Sequence, residues 1–172
     1  MYFLETPRTY FREMTTADRP ELCEILQDAT VMYAYEHAFS DAEVDAWLTK
    51  QQENYRLYGY GLWALINKSD NAFLGQVGLT LQETGPGLAI ETGYLLKRRY
   101  WGQGYATEGA TACKEYAFQY LSAPKVVAII RDNNFASQRV AERLGMHKEG
   151  ILIKHYYHID MPHFVYAIYP ST

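Results

Sequence analysis

Two short stretches and one isolated carboxylate have residue types and spacing suited to chemistry. The first stretch, Arg99-Tyr100-Trp101-Gly102-Gln103-Gly104-Tyr105-Ala106-Thr107-Glu108, follows the apolar run Tyr94-Leu95-Leu96 and opens into a segment rich in small residues. Glycines at this spacing let the backbone turn tightly with its N–H groups pointing inward. A helix starting there adds unpaired donors and the positive end of its dipole. The expected guest is a phosphate. The second stretch, Asn134-Phe135-Ala136-Ser137, places an amide and a hydroxyl at the start of another helical pattern, with Arg143 in its last turn. The carboxylate is Glu91, on the apolar run that leads into the glycine turn.

Four readings compete for Gly102-Gln103-Gly104. A P-loop needs a Lys-Ser/Thr pair after its glycines, and Tyr105-Ala106 stands there instead. A dinucleotide fingerprint needs a third glycine where Thr107 sits and an acidic residue about twenty positions on, where the chain has Ser122-Ala123-Pro124-Lys125. A cradle for the pyrophosphate of coenzyme A, with Arg99 and its neighbours adding charge, meets neither objection. The fourth reading is a tight turn with no ligand.

The elements that hold these residues follow from periodicity. Arg8 to Met14 alternates as a half-buried strand does. Leu22, Ile25, Leu26 and Ala29 form one stripe of a helix from about Asp18 to Ala29. Thr30 to Ser40 has no clean period and reads as a loop or short helix lining a site. Ser40 with Glu43 is a capping box for a second helix to about Tyr55. Gly61–Ile66 and Phe73–Leu81 form a hairpin, and Leu88–Leu96 is the strand that feeds the glycine turn. Ala106, Ala110, Cys113, Ala117 and Leu121 give the third helix a face of small residues for packing on a sheet. Val126–Ile130 is an apolar run of the kind buried parallel strands show. Asn134 caps a fourth helix that ends at Gly145. Two more strands, Met146–Ile153 and His163–Tyr169, are joined across Tyr156–Pro162.

Composition narrows the function classes. The 172 residues carry a net charge of −4, 48% apolar residues and 16 tyrosines. One domain spanning residues 1–172 is expected, with a core large enough to need no disulfide or metal. The only dense basic cluster is Lys97-Arg98-Arg99, beside the glycines, so neither a nucleic-acid footprint nor a membrane anchor is expected. Cys23 and Cys113 are read as buried thiols in a reducing cytosol. His155-x-x-His158 lacks further ligands, so no metal is expected. With no leader and no long apolar run, the expected location is cytoplasmic.

The run Glu91-Thr92-Gly93-Tyr94-Leu95-Leu96, followed by Arg99-x-x-Gly102-x-Gly104, resembles the acetyl-CoA motif of the GCN5-related N-acetyltransferases (GNAT). Trp101-Gly102-x-Gly104-Tyr105-Ala106-Thr107-Glu108, with Asn134-Phe135-Ala136-Ser137 and Leu144-Gly145-Met146, is similar to the branch that acetylates ribosomal-protein N-terminal alanine or serine. The resemblance covers essentially the whole chain. It implies a mixed α/β fold: a mostly antiparallel sheet of about seven strands, a splayed parallel pair made by strands 4 and 5, and about four helices. It also implies acetyl-CoA as acyl donor. Backbone near Leu95 and Leu96 would bond the pantetheine arm. The segment Arg99, Trp101, Gly102, Gln103, Gly104, Tyr105, Ala106 and Thr107 would hold the pyrophosphate. Asn134 and Ser137 would contact the pantetheine end, and Arg143 a phosphate.

The implied reaction is direct attack of an amine on the thioester, and the amine's own pKa decides how much base is needed. An α-amine near 7.8 is roughly one-seventh neutral at pH 7, whereas a lysine near 10.4 is almost wholly charged. Ile129 and Ala141 stand where relatives carry a glutamate base and a tyrosine acid. Glu91 is then the expected base, Ser137 the thiolate's proton donor or a positioning group, and Tyr156 or His155 a further candidate. The acceptor pocket is placed at Tyr33, Tyr35 and Glu36 with Tyr156-Tyr157-His158, where Glu36, Asp41 and Asp160 could attract a cation. The best-supported acceptor is a protein N-terminal α-amine, followed by a small amine of polyamine or aminoglycoside type. A non-catalytic acyl-CoA-binding module is the alternative from another class. Either a monomer or a homodimer fits.

Overall fold

The computed structural model describes residues 3–172 except 157, and of residue 156 only the backbone. Seven strands form one sheet in the order β1-β2-β3-β4-β5-β7-β6. They are β1 (Thr9–Arg12), β2 (Leu62–Asn67), β3 (Phe73–Glu83), β4 (Leu88–Leu96), β5 (Val126–Arg131), β6 (His147–Tyr156) and β7 (Ile159–Ile168). Every neighbouring pair is antiparallel except β4 and β5. This is the mixed sheet with a central parallel pair that the resemblance implies.

The helices are α1 (Arg19–Leu26), α2 (Asp41–Tyr58), α3 (Tyr105–Tyr120) and α4 (Phe135–Arg143). On one face of the sheet, α3 offers Ala110, Cys113 and Ala117 and α4 offers Val140, Ala141 and Leu144 to Trp63, Leu65, Val77, Val126 and Ala128. Small residues on α3 let the helix sit close: Gly109 packs so near Val77 that an added Cβ would lie 3.3 Å from it. On the other face, α1 and α2 bury Leu22, Ile25, Leu26, Val44 and Leu48 against Leu62, Ala64 and Ile66. Those two helices cover β1 to β4 only. Over β5 and β7 this second face carries a small apolar patch of Val127, Val165 and Ala167, continued by Ala89 of β4, and otherwise lies open.

Several boundaries differ from the sequence reading. The first helix stops at Leu26, and Ala29 is exposed, because the chain turns away to start a 3-10 turn at Met32–Tyr35. The capping box holds as read: Ser40 Oγ accepts from the Glu43 N–H (3.2 Å) and Glu43 accepts from the Ser40 N–H (3.0 Å). That helix runs on to Tyr58, where Gly59 adopts the left-handed conformation that ends it. The last hairpin is longer than expected. Tyr156 and 159–162 belong to strands, with Ile153 paired to Pro162 and Tyr156 to Ile159. Pro162 is tolerated there even though a proline nitrogen cannot donate to the ladder. Of the two thiols, Cys113 is buried, but Cys23 is only partly so.

Candidate active site

The parallel pair is short. Only Ile90↔Val126 and Glu91↔Val127 are in register, and beyond Glu91 the two strands separate. Residues Thr92 to Leu96 keep their partners in β3 but have none in β5. One side of that backbone is therefore an open strand edge, able to bond an extended amide-bearing guest. At the fork, the Ile129 N–H donates to the Glu91 carboxylate (2.6 Å). Burial pushes the Glu91 carboxyl up to about 7, against the Ile129 hydrogen bond and the charge of Lys154, which lower it. A carboxylate with that pKa is a proton acceptor poised at neutral pH.

A first cavity of about 440 Å3 runs from the fork to the start of α3 and along α4. Gly102 and Gly104 have φ of 72° and 83°, conformations that other residues rarely adopt, and Gly104 is the N-cap of α3. The first bond inside α3 runs from the Glu108 N–H to the Gly104 carbonyl (3.0 Å). The N–H groups of Tyr105, Ala106 and Thr107 are thus left at the helix end for a guest to accept from. Leu95, Leu96, Trp101, Gly102, Gly104, Tyr105, Ala106 and Thr107 all line this cavity, as do Asn134, Ser137 and Arg143. Gln103 and Arg99 do not: the Gln103 amide donates to the Arg99 carbonyl (3.1 Å) and so ties the turn together. The cavity also takes in Tyr94, Tyr100 and Arg139, which the sequence reading passed over. Arg139 and Arg143 lie one helical turn apart on α4, a spacing that sequence could have flagged.

The basic cluster beside the glycines is used differently from the expectation. Lys97 is buried and ion-pairs with Glu21 and Glu24 of α1, Arg99 pairs with Glu24 (3.0 Å), and Arg98 with Asp28 (3.4 Å). The three cations dock the turn onto α1 and the segment just after it, and their charge is already answered by carboxylates. Arg8 braces the other side, with its guanidinium over the Tyr105 ring at 4.1 Å and bonded to Glu108 at 2.7 Å.

A second cavity, about 620 Å3, lies on the other face of the sheet, alongside the second half of α2. Its wall includes Tyr35, Trp47 and Tyr58, its floor Glu91 and Ile129, and its far side Lys154 and His163. The ring of Trp47 meets Tyr35 and Phe39 edge-on, and its N–H donates to the buried Gln76 (2.9 Å). The His163 Nδ1–H donates to the Met161 carbonyl (2.9 Å), and burial lowers the pKa of the ring, which favours its neutral form. The two cavities share Val31, Tyr94, Leu95, Asn134 and Ser137, so they meet at the fork. The Tyr94 hydroxyl, pushed up by burial, donates to the Ser137 carbonyl (3.0 Å) and fixes α4 against β4 at that junction.

The residues read as an acceptor pocket are divided by the structure. Tyr33 lines the first cavity, where its hydroxyl donates to Asn134 Oδ1 (2.8 Å). Tyr35 lines the second. Glu36 faces Arg131 (3.6 Å), which also donates to the Tyr33 carbonyl (3.2 Å), so the Met32–Tyr35 turn is strapped across the fork. Asp41 is engaged by Gln27 and Arg19, and Asp160 by His155 at the hairpin tip, which leaves neither free for a cationic guest. The side chain of Tyr156 and the whole of Tyr157 lie outside the described residues. Among the described residues no three His, Cys, Asp or Glu side chains converge as a metal would need, and no helix is long and apolar enough to cross a membrane.

Residues 8–147 match the acetyltransferase (GNAT) domain family. The Bacillus subtilis protein YkkB is 38% identical over 145 residues, 84% of each chain. The chain belongs to the GNAT acetyltransferases. An acetyltransferase from Agrobacterium tumefaciens superposes on this GNAT enzyme with a TM-score of 0.82 at 25% identity, covering 99% of this chain and 98% of that one. The same fold is found in RimL, the ribosomal L7/L12 α-N-protein acetyltransferase in complex with coenzyme A (TM-score 0.77, 17% identity, 95% of each chain). It is found again in the Vibrio cholerae spermidine N-acetyltransferase with CoA and spermine (TM-score 0.75, 14% identity, 94% of this chain and 95% of that one). As a GNAT acetyltransferase the protein uses acetyl-CoA as its acyl donor. The forked strands, the left-handed glycines and the exposed start of α3 fit that donor's amides and phosphates.

Proposed function

We propose that the enzyme transfers acetyl to an α-amine, with a protein N-terminus as the first acceptor, and that Glu91 is its general base. The observation that carries this reading is the position of one buried carboxylate of pKa about 7 at the fork where the two cavities meet. The first cavity holds acetyl-CoA: phosphates at the α3 start with Arg143 alongside, amides along the free edge of β4, and the thioester near Ser137. The second holds the amine. Glu91 takes the amine's proton, directly or through water. The neutral nitrogen then attacks the thioester carbonyl, so that a C–N bond forms and the C–S bond breaks; the departing thiolate takes a proton from the Ser137 hydroxyl, and the surplus proton on the new amide nitrogen passes through solvent to the Ser137 oxygen, which restores the hydroxyl.

A base of pKa about 7 is well matched to an α-amine near 7.8 and poorly matched to a lysine near 10.4. A small-molecule amine is the second reading, favoured by the walls that Tyr35, Trp47 and Tyr58 put around the second cavity. Mass spectrometry of a peptide and metabolite panel incubated with enzyme and acetyl-CoA tests both, because it reports turnover and the acylated nitrogen. Binding of acetyl-CoA with no acetylated product from any amine would leave an acyl-CoA-binding module as the correct reading.

A further inference from the structure

The second cavity carries more positive than negative charge among its described lining residues. Glu91 is its only carboxylate, whereas Lys50, Arg131 and Lys154 supply cations. The charge of Arg131 is answered by Glu36. Among the described residues neither Lys50 nor Lys154 forms an ion pair with a carboxylate, and Lys154 shares the cavity with Glu91 and lies near enough for its charge to act on that group. Lys154 is half-buried on β6, on the same open face as His163, whose pKa burial lowers and whose charge is thereby disfavoured. Gln51 and Asn54 of α2 and Thr80 and Gln82 of the sheet contribute neutral polar groups to the lining. A polyamine entering here would bring a second cation to face Lys50 and Lys154. An amine with an anion nearby would meet the opposite arrangement, a carboxylate for its ammonium and an ammonium for its anion.

We infer that the acceptor is a primary amine with an anionic group a few bonds from the nitrogen, as in an amino acid, and that Lys154 receives the anion while Glu91 receives the ammonium. This rests on the assignment of the second cavity to the acceptor and narrows it. Two sources offer that chemistry: a free amino acid, through its carboxylate, and a peptide whose first residue is Asp or Glu. Charged recognition of this kind discriminates by about tenfold.

The test measures CoA release from acetyl-CoA with three sets of acceptors: the amino acids and their carboxamides, peptides beginning with Asp or with Asn, and spermidine. Rates are compared as kcat/KM corrected to the neutral-amine fraction. The inference expects the anionic member to lead its neutral partner about tenfold in at least one of the first two sets, which also names the source, and expects Lys154→Met to bring that ratio to about one. Equal rates within both pairs, spermidine as the best acceptor, or a ratio unchanged in Lys154→Met would overturn it while leaving the transferase reading in place. Release with none of the amines would overturn the transferase reading and this inference together.

Discussion

The two cavities that meet at Leu95 are built from different materials. The first is made largely of backbone: an unpaired strand edge, a turn with two left-handed glycines, and three helix-end N–H groups, all contributed by the continuous stretch 92–107. The second is made largely of side chains gathered from the 3-10 turn, α2 and strands β2 to β7. A backbone cradle depends on conformations that few residues adopt, so it leaves a compact mark in the chain. A side-chain pocket depends on which faces of distant strands come together, and one substitution changes its chemistry without touching the fold. The solved neighbours fit this division, since RimL, a ribosomal L7/L12 α-N-protein acetyltransferase, and a spermidine N-acetyltransferase share one architecture.

The largest effect is expected at the backbone cradle. Gly104→Pro forces φ near −65° where the chain holds 83°. Binding of acetyl-CoA, followed by calorimetry, should fall below detection while the circular dichroism spectrum is retained. Undiminished affinity would mean that the cradle is not the donor site.

Next in size is Glu91→Gln, which should lower kcat by about a hundredfold or more and leave acetyl-CoA affinity unchanged. The pH dependence has a definite sign. In the wild type, activity should fall as pH drops below about 7, the region where Glu91 takes up its proton, and that limb should vanish in the variant. Stability should move in the opposite sense. Because the folded-state pKa lies above the ordinary value of 4.5, the fold favours the protonated carboxyl. That stabilisation is complete below about pH 4.5 and is lost as pH rises through about 7. Glu91→Gln should therefore melt higher than the wild type at pH 8 and level with it at pH 4.

The smallest effect separates the two cavities directly. Tyr33→Phe removes the hydroxyl that donates to Asn134, a contribution of about 0.5–1.5 kcal/mol. Acetyl-CoA affinity should weaken by about two- to tenfold with the acceptor KM little changed. A change confined to the acceptor would instead return Tyr33 to the pocket in which the sequence reading had put it.

Much of the fold was legible because its signals are local. The β4 boundaries, the Ser40 and Glu43 capping box and the Asn134 cap each rest on contacts within a few residues, and all were read from the chain. The end of α1 was misread because Ala29 fits a helical stripe by type, while burial stops at Leu26. The last hairpin was read short because its tip is polar and contains Pro162, features that ordinarily mark a connection.

The site divides in the same way. Gly102, Gly104, Asn134 and Ser137 could be picked out because turn and cap chemistry restrict which residues serve there. Tyr94 could not, since a tyrosine on a strand is ordinary until its neighbours are known, whereas Arg139 carried only the one-turn spacing from Arg143 as a signal. By itself the sequence determined the phosphate-type cradle, the order of the elements and the acyl donor that its motifs resemble. Only the tertiary structure decided that Lys97, Arg98 and Arg99 spend their charge on carboxylates of α1 and the segment just after it, that Tyr33 and Tyr35 line different cavities, and that Lys154 shares a cavity with Glu91. Charge and proximity across separate strands depend on how the sheet is assembled, and residue spacing along the chain does not carry that information.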